Sequence, residues 1–323
     1  MRRISFVAVV VAAASTLMAA EQALDVSKLP GSWKPYSAKE SAMPYDAPPW
    51  LTPAQAEAMR ANLAAVAEIF HRTPVLASPV GFTVFPKRTL VFDQRVWPHP
   101  THRDRRWPIQ GHLTLSASVF QPDGRTVYDT GTAFVVNASA NDLGCMFNNA
   151  SPWATDATGT MYLEPEPPPD TMHGFPAYRY CILITRRTQP FFVPVSRERA
   201  LTVLIAEADA KVKEWTAFGG EYLTTWQRVA ASLRAQLADL SPADRKAPAT
   251  VTATHDYQNP LGNSGDGRAL VEPNPAFFDV SRPSDIQVLT LFDGCVTNSC
   301  AERDIVQKLH AQLDWKALAA LVK

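Results

Sequence analysis

The chain of 323 residues carries 31 basic and 31 acidic side chains, and 46% of its residues are hydrophobic. This composition is typical of a globular protein with a sizeable core, and the lack of a broad basic field argues against nucleic acid as a main partner. Proline is frequent, at 27 residues, while glycine is scarce, at 14, which predicts rigid irregular loops rather than disorder.

Residues 1–20 have the three parts of a secretory signal peptide. Arg2 and Arg3 supply positive charge, residues 4–18 are almost wholly apolar, and Ala19 and Ala20 are small residues suited to cleavage. The apolar run is shorter than the about 20 residues that span a bilayer. We therefore expect a periplasmic or secreted protein that is soluble and has no transmembrane segment after signal removal.

After the signal, residues 21–50 form a polar segment with several prolines, which predicts an extended lead-in. A helix follows, because Thr52 can act as N-cap, Pro53 occupies the first helical position and Gln55 can close a capping box. The apolar residues of this helix share one face at helical spacing. Pro74 requires the helix to end by Thr73.

Residues 75–136 predict strands, since Leu113 to Val119 alternate between apolar and small polar side chains. Residues 137–175 are rich in loop-forming residues and include the run Glu164-Pro-Glu-Pro-Pro-Pro-Asp170, which favours polyproline II conformation. A further strand is expected over residues 178–185.

Two long helices are predicted next, separated by Gly219-Gly220. Ser196 can cap the first, and apolar stripes run to Trp215 in the first helix and from Tyr222 in the second. Residues 246–285 predict an irregular stretch, followed by a strand over 286–292 and a final helix opened by Ser299 and Glu302. This order predicts an α+β fold, a mostly antiparallel sheet packed against a pair of long helices with proline-rich irregular loops. We expect one globular domain over residues 51–323.

The four cysteines predict disulfide bonds, because their number is even and the chain is expected to be exported. They are Cys145, Cys181, Cys295 and Cys300. Sequence alone allows three pairings. The short spacing of Cys295 and Cys300 favours a small loop, which leaves Cys145 to pair with Cys181. The alternatives are free buried thiols or a metal site, for which a single C-x4-C spacing is weak support.

The best metal-binding candidates are His99, His102 and Asp104, with His112 further along the chain. Imidazole and carboxylate groups are ligands that zinc prefers, and a catalytic zinc site uses three of them with one position open. Pro98 and Pro100 disfavour a helix, so the spacing differs from that of helical zinc proteases. The alternative interpretation is a polar loop with exposed histidines.

Other patterns that carry chemistry are weaker. Ser264 lies among glycines with His255 and Asp256 upstream, but without the strand–turn–helix context of a nucleophilic serine. Glu164, Glu166 and Asp170 could act as paired acids in glycoside cleavage, or they belong to a solvated proline-rich loop. Trp97, Trp107 and Trp153 could stack on a ligand or pack in the core. Cofactor fingerprints of the nucleotide-binding type are absent from the sequence.

Two short segments resemble parts of exported bacterial proteins of uncharacterised function. Pro194-Val-Ser-Arg-Glu-Arg-Ala-Leu201 is similar to a strand-to-helix segment of such proteins, and Val271-Glu-Pro-Asn-Pro-Ala-Phe-Phe-Asp279, with Gln287 after it, is similar to a late segment. Together they cover under a tenth of the chain, and the resemblance implies no activity. An exposed Arg197 could bind an anionic ligand through a bidentate contact, or it is a hydrated charge at a helix start.

We expect an exported binding or structural factor that contacts a ligand or an envelope protein, and we predict no cofactor. Trp97, Trp107 and Arg197 are its candidate ligand-binding residues. The alternative is a hydrolase outside the cytoplasm that holds zinc or a similar metal on the four metal-binding candidates. A third hypothesis, a partner in envelope assembly, requires an apolar patch on the surface. The sequence leaves open whether the protein is an enzyme.

Overall fold

The protein is described here from a computed structural model. The structure describes residues 24–34, 50–91, 108–125, 132–156, 159–166, 170–178, 181–252, 258–262, 267–274, 276–293 and 303–323. The predicted signal peptide and the predicted cap at Ser299 and Glu302 lie outside these ranges. Within them, no helix combines the length and the apolar character that crossing a membrane requires.

Helices and strands alternate in groups along the described chain. The helices are α1 (Pro53–Arg72), α2 (Pro74–Ala77), α3 (Gly144–Asn149), α4 (Arg197–Trp215), α5 (Gly220–Asp239), α6 (Pro242–Lys246), α7 (Arg303–Gln312) and α8 (Trp315–Leu321). The strands are β1 (Phe82–Val91), β2 (Gln110–Val119), β3 (Thr132–Ala140), β4 (Ser151–Asp156), β5 (Gly159–Leu163), β6 (Asp170–Met172), β7 (Phe175–Tyr178), β8 (Cys181–Thr185), β9 (Phe192–Pro194), β10 (Thr250–Thr252), β11 (Gly267–Pro273) and β12 (Val288–Asp293).

A large antiparallel sheet organises the first core. Its strand order is β1-β2-β3-β12-β8-β7-β6, and each neighbouring pair is antiparallel. The predicted alternation in β2 is confirmed, since Leu113, Leu115 and Ala117 are fully buried. The predicted α+β class with a large antiparallel sheet is therefore confirmed.

Helix α1 covers this sheet from one side. Its predicted capping box is confirmed, because the Thr52 backbone N–H donates to Gln55 Oε1 at 2.9 Å and the Gln55 N–H donates to Thr52 Oγ1 at 3.2 Å. The helix ends at Arg72, as Pro74 requires. Its buried face belongs to one cluster with β1, β2, β3, β8 and β12, and α7 and α8 contribute to the same cluster.

The pair of long helices lies elsewhere in the fold. A smaller sheet has the order β10-β11-β5-β4, with β9 paired to β11, and α4 and α5 pack against this sheet in a second hydrophobic cluster. The long helices α4 and α5 thus pack against the smaller sheet, whereas α1 covers a face of the large sheet. The strands of the smaller sheet come largely from stretches expected to be irregular, where strands of three to seven residues show little periodicity.

The described disulfide joins two parts of the fold. Cys145 in α3 bonds Cys181 at the start of β8, with a Cα–Cα distance of 6.0 Å and a sequence separation of 36 residues. This half of the predicted pairing is confirmed, while Cys295 and Cys300 lie outside the described residues. Cys181 belongs to a third cluster with Leu183, Val288, Phe277 and Phe278, which covers part of the sheet face opposite α1.

Candidate functional site

On the face of the large sheet opposite α1, the part that the third hydrophobic cluster does not cover is polar. Alternation along the strands turns His112 and Thr114 of β2 away from α1, together with Asn137 and Ser139 of β3. The register places His112 beside Ser139, and Ser139 beside Thr290 of β12. A row of groups able to donate and accept hydrogen bonds therefore crosses the centre of the sheet.

A histidine–aspartate pair lies at the end of this row. His112 Nε2 is 2.6 Å from Asp142 Oδ2, and the two side chains are 28% and 19% exposed. The other carboxylate oxygen, Oδ1, accepts the backbone N–H of Gly144 at 2.7 Å. Because both carboxylate oxygens are engaged, the carboxylate has a defined orientation and holds the imidazole ring in place. The imidazole Nδ1 is the ring nitrogen that this pair leaves for another contact.

This pair is the part of the predicted metal site that the structure describes. His99, His102 and Asp104 lie outside the described residues, as do the predicted ligand-binding residues Trp97 and Trp107. Within the described ranges, no group of three or more His, Cys, Asp or Glu side chains is arranged to hold a metal ion. The structure thus adds Asp142 as a partner of His112 and leaves the prediction of a complete site untested.

Arg197 begins helix α4 directly after the N-cap Ser196, which accepts the Arg199 N–H at 3.2 Å. Its Nη1 donates to the carbonyl oxygen of Gly262 at 3.3 Å, and its Nε is buried without a described hydrogen-bond partner. The side chain thus binds a loop backbone of its own protein. This contact accounts for its position without the anionic ligand considered from the sequence.

The other candidates from the sequence are dispersed. Glu164 and Glu166 are exposed after β5, and Asp170 is exposed at the start of β6. Trp153 in β4 is half-buried against the second hydrophobic cluster, so it packs in the core rather than offering a free ring. His255, Asp256 and Ser264 lie outside the described residues.

Two tyrosines near the disulfide are weak candidates for acid–base chemistry. Burial raises the pKa of Tyr178, and burial also raises the pKa of Tyr162 against the opposing hydrogen bond with Thr160. A phenol has a pKa of about 10 in water, so both groups stay protonated in neutral solution. Neither can serve as a general base there.

The turn between α4 and α5 carries an exposed aromatic group that the sequence analysis did not identify as a surface. Trp215 stacks on Tyr222 with ring centres 5.2 Å apart, and Phe218 meets Trp215 edge-on at 5.6 Å. Phe218 is 77% exposed and Tyr222 is 67% exposed. We call Trp215, Phe218 and Tyr222 the aromatic tip. The sequence pattern placed Trp215 and Tyr222 on stripes facing the core.

The aromatic tip projects beyond the body of the protein. In α4 the buried residues end at Ala208, and in α5 they begin at Val229. Trp215 lies seven positions after Ala208, which corresponds to about 10 Å of helix at 1.5 Å per residue. Arg234 of α5 contacts both carboxylate oxygens of Asp209 at 2.6 Å, near the base of the projection. The tip therefore lies at the turn that joins the two helices, beyond the last buried residue of α4 and before the first of α5.

No protein-family model, curated protein or solved structure matches the chain. The assignment of a function therefore depends on the geometry of the described residues.

Proposed function

We propose that the protein is a binding factor outside the cytoplasm that engages a protein partner through the aromatic tip. The observation that carries this proposal is the exposure of Phe218 and Tyr222, at 77% and 67%. Trp, Tyr and Phe are enriched at the centres of protein interfaces, where burying them contributes most of the binding free energy. An apolar surface patch is also the feature that an envelope-assembly partner requires.

The proposed location rests on two features. The signal-like residues 1–20 favour export, and the Cys145–Cys181 disulfide is typical of an oxidising compartment. We further propose that the protein is periplasmic or secreted and that residues 51–323 form one domain. The two long helices serve in it as the arm that presents the tip, and the proline-rich loops as rigid connections.

The shape and charge of the aromatic tip define the partner. A tip of three side chains buries little area against a flat surface or a second copy, and a stable interface needs about 800 Å² from each partner. A concave apolar pocket encloses the rings from several sides. Residues 215–220 are uncharged, and the flanking side chains are two basic and two acidic, Lys211, Lys213, Glu214 and Glu221, with Glu214 paired to Lys211 at 2.8 Å. The flanks therefore carry no net charge, and an apolar pocket without a strongly charged rim fits best.

Site-specific photo-crosslinking in the envelope of the source cells tests the proposal. A crosslinking residue at position 218 should capture one dominant protein, while the same residue at Val280, which is 43% exposed, should not. The captured protein, once purified, should bind the Phe218→Ser/Tyr222→Ser variant at least tenfold more weakly than the unaltered protein. Val280→Ala should bind as well as the unaltered protein.

Three results would contradict the proposal: equal capture from both positions, no capture from position 218, or unchanged affinity of the double variant. If the purified protein binds lipid vesicles and the double variant does not, the aromatic tip binds a membrane surface and not a protein partner. Thermal unfolding of the double variant, expected within a few degrees of the unaltered protein because both rings are exposed, shows that the fold is retained.

A second candidate function is favoured by the His112–Asp142 pair. Metal-binding histidines commonly donate their second ring N–H to a carboxylate, which orients the ring and increases its basicity. Asp142 at 2.6 Å from His112 Nε2 provides this support, and leaves Nδ1 for a metal. On this proposal His112 and His102, with His99 or Asp104, hold zinc through three ligands and leave the fourth position open for the water that a hydrolase activates.

Metal content, measured by plasma mass spectrometry on protein purified without a histidine tag, tests this second function. The hydrolase predicts about one zinc ion per chain, lost in His102→Ala and weakened about tenfold or more in Asp142→Asn. His71→Gln is the control, since His71 lies in α1. Zinc that persists in both His102→Ala and His112→Ala, or its absence from the unaltered protein, would exclude the hydrolase.

A further inference from the structure

Two histidines from distant parts of the chain meet at one tryptophan. His173 lies in the turn between β6 and β7, and its ring stacks on Trp315 of α8 with centres 4.3 Å apart and an interplanar angle of 14°. His310 of α7 meets the same indole edge-on at 5.6 Å, and the Trp315 Nε1–H donates to the His310 carbonyl oxygen at 2.9 Å. Trp315 is 8% exposed, so both imidazoles rest on a fixed support.

A thioether completes the group. Met172 precedes His173 in the chain, is 37% exposed, and its Sδ lies 3.1 Å from Nδ1 of His310. The rings of His173 and His310 are 6.3 Å apart at 74°. We call Met172, His173 and His310 the His–Met cluster. It contains two imidazoles and one thioether at the end of a short hairpin, on the side of the first core where α7 and α8 pack.

These separations are close to those of ligands that share one ion. Metal–nitrogen and metal–sulfur bonds of about 2.0 and 2.3 Å place the two ligand atoms about 3.5 Å apart in a tetrahedral site, and two imidazoles about 5–6 Å apart between ring centres. The observed distances of 3.1 and 6.3 Å require shifts of a few tenths of an ångström. Met172 and His173 are exposed, so such shifts meet little resistance.

The backbone of the hairpin is a second observation. His173 has φ 54° and the following Gly174 has φ 83°, which is the left-handed pair that a two-residue hairpin turn requires. Asparagine and glycine are the usual residues at such positions, and histidine is also among the residues enriched at positive φ. The turn therefore fixes the backbone of His173, whose ring stacks on Trp315.

We propose that the His–Met cluster is a copper(I) site. Thioether sulfur is a soft ligand that selects copper(I), and imidazole also binds copper well, whereas calcium and magnesium prefer oxygen ligands. Zinc is poorly suited, because its protein sites use thiolate, imidazole and carboxylate rather than thioether. The site is separate from both proposed functions, since it shares no residue with the aromatic tip or with His112.

Competition for copper(I) tests the site. The protein, purified without a tag and with any free thiol alkylated, is titrated against a chromophoric copper(I) chelator under anaerobic conditions. We expect one equivalent of copper to bind and its X-ray absorption spectrum to contain both nitrogen and sulfur scatterers. Met172→Leu, His173→Asn and His310→Gln should each weaken binding at least tenfold, and Met172→Leu should remove the sulfur signal.

The variants preserve the fold for identifiable reasons. Asparagine suits the backbone of His173, leucine matches the size of Met172, and glutamine is a good helix former at His310. His71→Gln is the matched control: His71 also stacks on a tryptophan, Trp33, with ring centres 4.7 Å apart, and should leave copper affinity unchanged. Failure of the unaltered protein to compete, or equal affinity in the three cluster variants, would overturn the proposal.

Discussion

At the scale of single residues, the buried side chain of Asn141 connects the end of β3 to the backbone just before β2 and just before β12. It is 2% exposed with φ 55°. Its Nδ2 donates to the carbonyl oxygens of Ile109 and Asp285 at 3.0 and 2.8 Å, and its Oδ1 accepts the Gln287 N–H at 2.8 Å. A buried side chain that satisfies several backbone groups leaves all of them unpaired when it is removed.

Asn141→Ala should therefore lower the free energy of unfolding by about 3 kcal/mol or more, from lost buried hydrogen bonds and from alanine held at positive φ. Asn141→Gly should be about 1 kcal/mol less harmful, since glycine adopts this φ freely. Chemical denaturation measures both, with Asn137→Ala on the half-buried face of β3 as control, where we expect a loss below about 1 kcal/mol. Equal effects at positions 141 and 137 would contradict this role.

Gln287 holds the turn at the end of the segment 271–279. Its Nε2 donates to the Asp279 carbonyl oxygen at 2.7 Å and its Oε1 accepts the Asp279 N–H at 2.7 Å. It is 1% exposed, and it closes the turn that follows Phe277 and Phe278. The segment 271–279 with Gln287 is thus a structural unit. Nothing in the sequence pattern indicated that a side-chain amide eight residues further along the chain holds this turn backbone.

At the scale of elements, the contact of α1 with β2 depends on a missing side chain. A Cβ on Gly111 would lie 2.7 Å from Cδ1 of Leu63, and Leu63 is fully buried. The helix therefore approaches the strand at a position where glycine leaves room for leucine. The spacing of apolar residues predicted α1 and its buried face, but the partner of Leu63 depends on a contact between residues 48 positions apart.

The Gly111→Ala variant should lose about 1–3 kcal/mol through overpacking, and Leu63→Ala about 2–5 kcal/mol through a cavity. Together they should lose at least about 1 kcal/mol less than the sum, because the new methyl group occupies space that the leucine leaves. Gly111→Ala combined with Leu233→Ala, in the second hydrophobic cluster, should be additive within about 0.5 kcal/mol. Additivity of the first pair would show that the two positions do not share space.

Helices and strands that carry their own caps or periodic patterns could be predicted from the sequence. Short strands that exist only because they pair with distant strands could not. The N-cap of α1, the N-cap Ser196 of α4 and the alternation in β2 are local features, and the structure has all three. Strands β6 and β10 have three residues each, which is too short for a periodic pattern. The His–Met cluster was equally hidden, since His173 and His310 lie 137 positions apart in the chain. The one local sign was the turn pair His173-Gly174.

At the scale of the whole molecule, the order of elements predicted the α+β class but not the division into two sheets. β11 pairs with β5 across more than 100 residues, with Leu270 opposite Leu163 and Val271 opposite Tyr162. Nothing local in either segment identifies the other. The same long-range pairing moves α4 and α5 away from the large sheet, and thereby leaves the distal ends of the two helices outside both cores, where the aromatic tip forms.

The disulfide acts at this same scale, because it closes a loop with a sequence separation of 36 residues between α3 and β8. Restricting such a loop in the unfolded chain stabilises the folded state by about 3–4 kcal/mol in the chain-entropy account. Cys145→Ser/Cys181→Ser should therefore lower the free energy of unfolding by about that amount. Urea denaturation measures it, and the reduced unaltered protein should fall to a similar value.

Reducing the unaltered protein would also break any bond between Cys295 and Cys300. The Cys145→Ser/Cys181→Ser variant is therefore measured first without reductant and then after reduction. If the double variant loses about 3–4 kcal/mol and reduction then removes little more, the Cys145–Cys181 bond accounts for most of the redox-dependent stability. A variant as stable as the oxidised protein would contradict this role, since α3 and β8 would then be held by the third hydrophobic cluster alone. A confirmed loss favours folding in an oxidising compartment, where this bond forms and persists.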